Sequence, residues 1–145
     1  MLVLLILIVS LATFRVLGFA GVALFSTWHA SARWAMAIML FFTASAHFTS
    51  MKEDLVRMTP AWVPRPRLMV YFTGVCEIAG AVGLLIPGLR RIAGILLILL
   101  FIALLPANIH AAKTGVTLRG KPATALLLRI PMQILFIAWV WWSTQ

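Results

Sequence analysis

Acids are scarce in this chain: Glu53, Asp54 and Glu77 are the only three, against twelve lysines and arginines in 145 residues. Cysteine is scarcer still. The single Cys76 excludes an intrachain disulfide, a Cys-x-x-Cys redox pair and a thiolate metal site within one chain. No Gly-rich nucleotide loop, H-E-x-x-H or G-x-S-x-G occurs, so there is no self-contained catalytic motif and no metal site is expected. Charged residues total 10%, where a soluble domain carries about a quarter.

What is present is hydrocarbon: 63% of the residues are apolar and the mean hydropathy is +1.08. A soluble globule of this length could not bury so much apolar surface. In lipid every backbone polar group must be satisfied internally, which leaves helices or closed barrels. The apolar runs are continuous rather than alternating with period two, so helices are expected. Five runs stand out, at Met1–Phe25, Arg33–Ser50, Leu68–Ile86, Arg90–Ala112 and Ala123–Trp142. Each approaches the ~20 residues that cross a bilayer. The expectation is an all-α polytopic membrane bundle of five helices, one domain over residues 1–145.

The connections hold most of the charge and proline. Met51–Met58 reads as one or two amphipathic turns at the interface, with Glu53 and Arg57 paired at i,i+4 and Pro60 ending them. Pro87-Gly88 marks a tight turn between antiparallel helices. Ala30-Ser31-Ala32 resembles a signal-peptide cleavage site, but no cationic segment precedes the first run, and ~25 apolar residues exceed the usual 7–15. Retention of that run as a helix is therefore expected.

Orientation follows from the loop cations. With five helices, Lys52, Arg57, Arg65, Arg67, Lys113, Arg119 and Lys121 fall on one side and Arg33, Arg90 and Arg91 on the other. Seven against three places the N-terminus in the cytoplasm and the C-terminus outside. Trp28, Trp34, Trp139, Trp141 and Trp142 then mark the outer interface. The net charge of +9 is split among short loops, which suits topology and anionic lipid and speaks against a nucleic-acid partner.

A family resemblance rests on residues from Arg33 onward. They are Ala46-His47-Phe48, Met58-Thr59-Pro60-Ala61-Trp62-Val63-Pro64, the stretch Thr73-Gly74-Val75-Cys76-Glu77 through Ile86-Pro87, then Arg90-Arg91, Pro106-Ala107-Asn108 and Leu128-Arg129-Ile130-Pro131. In order and spacing this resembles the DoxX-like family of small bacterial membrane proteins. The resemblance implies a four-helix core in the bacterial inner membrane, here preceded by one extra helix. It also implies one of two roles: accessory subunit in quinone-linked redox or oxidative-stress chemistry, or non-catalytic assembly of a partner in the manner of the family's chaperone relatives.

An ionisable side chain near a helix centre costs at least about 2.5–3.5 kcal/mol, so it faces the bundle interior or finds a partner. Glu77 lies about ten residues, roughly 15 Å, inside the edge marked by Arg67, and Arg129 about 12 Å from Lys121. Arg15 also falls near mid-depth, so Glu77 is expected to face Arg129 or Arg15. His47 and Asn108 each sit about five residues inside the cytoplasmic boundary. His47 shares a stripe with Thr43, Leu40, Met36 and Arg33, and Gln133 shares a face with Arg129. A polar pocket of His47, Glu77, Asn108, Arg129, Gln133 and Arg15 is the candidate site. Its structural alternative is an ion pair that locks the bundle. Pro106 and Pro131 free the carbonyls of Ile102 and Leu127, which Asn108 or Gln133 could bond. No cofactor is evident. Redox work would run through a bound quinone or the cofactor of a membrane or redox protein partner, and the oligomeric state is left open.

Overall fold

A computed structural model describes residues 2–115, 117–118, 121–122 and 126–145. The architecture is helical: α1 Leu2–Phe19, α2 Trp28–Phe48, α3 Lys52–Met58, α4 Pro66–Leu85, α5 Arg90–Thr114 and α6 Leu126–Ser143. A two-residue antiparallel pairing, Thr117 with Pro122 and Leu118 with Lys121, lies between α5 and α6. α1, α4 and α5 are each long and apolar enough to cross a membrane, and α2 with α3 passes the same test as a pair bent by 90°. Large apolar side chains face outward along these helices, among them Ile8, Val16, Ile95, Leu96 and Leu99. That surface suits lipid and not water.

The helices stop where the local chemistry requires. α1 ends at Phe19 rather than continuing to Phe25, because the chain reverses through Gly21 at φ +96°, a left-handed conformation open to glycine, into a 3-10 turn at Ala23–Phe25. α2 then starts five residues before Arg33. Thr27 caps it, its hydroxyl accepting the Ala30 N–H at 3.1 Å. Ser31 and Ala32 are fully buried in the first turns of α2, so the Ala30-Ser31-Ala32 stretch is helix and not an exposed loop. Pro66 opens α4 at a position where its missing N–H costs nothing. α3 runs off at a right angle to α2, as expected of interfacial turns, but its ion pairs differ from the expected one. Arg57 bonds Asp54 at 2.8 Å, while Glu53 reaches across to Arg67 at 3.0 Å and ties α3 to the start of α4.

α2, α4, α5 and α6 close into a ring, each packed on the next, and α1 docks on α2 from outside. The shared core holds Met36, Met39 and Leu40 of α2, Ala81 and Leu84 of α4, Leu97 of α5, Val140 of α6 and Leu7 of α1. Small residues set the approach: Gly80 lies against the Leu97 side chain, and a Cβ on Gly83 would stand 2.7 Å from that of Ala93. In lipid, which supplies no hydrophobic drive between helices, such contact is a main source of association.

Candidate functional site

On α2, residues at spacings of three and four form the stripe Met36, Leu40, Thr43 and His47, and it faces α4. On α4 the matching stripe is Val70, Thr73, Gly74 and Glu77. Gly74 lets the two backbones meet, since a Cβ there would lie 2.6 Å from the Cβ of His47. The result is a buried acid and base in contact. Glu77 is 6% exposed and His47 7%, with Nε2 of His47 3.5 Å from Oε1 of Glu77. Thr43 donates its hydroxyl to Oε2 of Glu77 at 2.7 Å.

The other ring nitrogen fixes the protonation pattern. Nδ1 of His47 lies 2.6 Å from the Val70 carbonyl, and a carbonyl oxygen only accepts, so Nδ1 carries the hydrogen. Nε2 is then the atom that gains or loses a proton. With that proton on Nε2 the contact is an imidazolium facing a carboxylate; with it on Glu77 both groups are neutral. Either way the net charge is zero, which lowers the cost of burial relative to a lone ion. Chemically the arrangement can share one proton between Nε2 and the carboxylate inside an apolar bundle.

The remaining candidates form a second group between α5 and α6. Arg129 donates to Asn108 Oδ1 at 3.0 Å, Asn108 donates to Gln133 Oε1 at 3.0 Å, and Gln133 donates to the Phe101 carbonyl. The shared face of Arg129 and Gln133 is as expected. The carbonyl taken is one residue before that of Ile102, on the turn loosened by Pro106.

Two expectations are corrected. Glu77 meets neither Arg129 nor Arg15; its partners are His47 and Thr43. Nor is Arg15 at mid-depth: it sits in the last turns of α1, where it donates to the carbonyls of Phe25 and Ser26 at 2.8 and 3.2 Å and stacks on Phe19 and Trp28. The six residues therefore occupy three places. Thr43 belongs to the site, and in the sequence it stands out only as a stripe neighbour of His47. The Val70 carbonyl carries no sequence signal, because backbone acceptors are alike at every residue.

Beside the acid and base, on the α5 side of α4, runs an apolar groove of about 460 Å³ lined by Cys76, Gly80, Gly83, Ala93, Leu96 and Leu97. Cys76 is partly exposed.

A family model described as a domain of unknown function (DUF8561) matches residues 36–144, and the chain belongs to that family. The match takes in His47, Glu77, Asn108, Arg129 and Gln133 and leaves out α1 with Arg15. Neither a curated protein nor a solved structure matches the chain.

Proposed function

We propose that the protein is a DoxX-like integral protein of the bacterial inner membrane, with a four-helix core of α2, α4, α5 and α6 and α1 as an added fifth span. In this reading it is an accessory subunit of quinone-linked redox or oxidative-stress chemistry. The observation that carries the reading is the buried contact of His47 with Glu77. A quinone takes up protons as it takes up electrons, and a membrane subunit serving it needs a protonatable group shielded from water. His47 and Glu77 supply one such proton. The groove on the other flank of α4 has an apolar lining suited to a ring and hydrocarbon tail, and Cys76 and Gly80 place it within one turn of Glu77. The electrons would come from a partner's cofactor, since this chain has no redox pair of its own.

The test is the quinone content of the protein purified from its native membrane, read by solvent extraction and chromatography. Wild-type protein is expected to carry quinone, and Glu77→Gln, which keeps an acceptor for Thr43 but exchanges no proton at neutral pH, is expected to carry less. Well-folded wild-type protein without quinone would overturn the reading. The second reading, a non-catalytic assembly protein, is favoured by the α5/α6 group, whose amides are spent on one another and on the Phe101 carbonyl.

A further inference from the structure

One end of the bundle is formed by the end of α4, the start of α5, the start of α2 and the end of α6. Its cations are all arginines, Arg33, Arg90 and Arg91, with Arg15 spent on the carbonyls of Phe25 and Ser26 beside Trp28, while Lys52 and Lys113 lie at the opposite end. None of the chain's three acids is near. Glu53 and Asp54 are on α3, and Glu77 is turned toward His47. No ion pair engages Arg33, Arg90 or Arg91 among the described residues.

Arg90 and Arg91 stand at an uncapped helix start. Leu89 gives α5 no side-chain cap and its first turn has no acid, so the positive end of the helix dipole coincides with Arg90 and Arg91. Like charge at that position is unfavourable by itself. Arg33 adds to it: the side chain is buried, bonds the Ser143 carbonyl at 2.7 Å, and stands close enough to Arg90 for their charges to oppose each other. Nε of Arg90 is buried with no hydrogen-bond partner. Arg91 is exposed. Trp28, Trp141 and Trp142 are exposed at the same end, the amphipathic side chains that mark headgroup depth in a bilayer.

We infer that the start of α5, with Arg90 and Arg91 in front and Arg33 behind, is a binding site for a phosphate group. Arginine is the side chain suited to it, because its planar fork donates two parallel bonds to phosphate oxygens, and free N–H groups of a helix start add further donors. A bound phosphate neutralises arginines that no Asp or Glu side chain pairs among the described residues. The same chemistry is offered by the diester of an anionic lipid and by free phosphate.

The test is native mass spectrometry of the full chain in neutral detergent, titrated with phosphatidylglycerol, with phosphatidylcholine and with inorganic phosphate. Retention of phosphatidylglycerol over phosphatidylcholine is expected. Arg90→Gln with Arg91→Gln should weaken it about tenfold or more, the loss expected when charged hydrogen bonds are removed. Lys113→Gln, at the far end, should change nothing. Competition by inorganic phosphate identifies a site that accepts the group from either source, and no competition identifies the lipid diester; both support the site. If the double variant does not fold, Arg91→Gln alone, at an exposed position, decides, with a smaller loss in the same direction. Equal retention of both lipids by the wild type, or unchanged phosphatidylglycerol binding in a folded variant, would overturn the inference.

Discussion

Removing the Glu77 carboxylate leaves Nε2 of His47 without its partner, while the Thr43 hydroxyl keeps the Leu40 carbonyl; breaking one side of a buried pair costs about 3–5 kcal/mol. Glu77→Leu is therefore expected to lower the thermal midpoint in detergent sharply. Adding His47→Leu should recover part of the loss, since an apolar pair of similar volume replaces an ionisable one. Adding Arg129→Gln to Glu77→Leu should recover none, because Arg129 serves Asn108 on the other helix pair. Recovery by Arg129→Gln instead of His47→Leu would restore the pairing that the sequence suggests. That pairing fails for a physical reason. Depth along the membrane normal is legible from residue counting, and it puts Glu77 and His47 correctly inside the bundle. Depth says nothing of rotation or of which helices are neighbours. α4 borders α2 and α5, so an arginine on α6 that faces α5 does not meet Glu77.

Among the elements, close approach of α2 and α4 depends on Gly74 beneath His47. Gly74→Val should destabilise by about 1–3 kcal/mol, the usual cost of overpacking, and should disturb the contact of His47 with Glu77 as well. Gly88, in the turn before α5, has open space where a Cβ would stand, with no neighbouring atom within 4 Å, so Gly88→Ala is expected to fall within about 0.5 kcal/mol of wild type. Equal melting of the two variants would remove the packing argument. The existence of the helices is legible in the apolar runs, and the bend at α3 in the charges and Pro60. The end of α1 is not. Phe19 through Phe25 is as apolar as what precedes it, and only the backbone freedom of Gly21 and the carbonyls offered to Arg15 explain why the chain turns there. The ion pairs of α3 escape a sequence reading because Asp54 is as near to Arg57 along the helix as Glu53, and Arg67 returns from the next element.

For the molecule as a whole, the ring of α2, α4, α5 and α6 holds nearly all of the family match over residues 36–144, while α1 packs mainly on α2. Everything proposed for His47 and Glu77 depends on these helices lying in a bilayer and crossing it five times, with the seven loop cations near Glu53 and Lys113 on the cytoplasmic side. Charge asymmetry and run length in the sequence are the grounds on which that arrangement is proposed. The most direct test is a reporter that fluoresces only in the cytoplasm, fused after Gln145. Five crossings from a cytoplasmic start leave that reporter outside, so the cells are expected to be dark while a phosphatase fused at the same point is active. Bright cells with inactive phosphatase would contradict the five-span arrangement, and with it the placement of the buried pair.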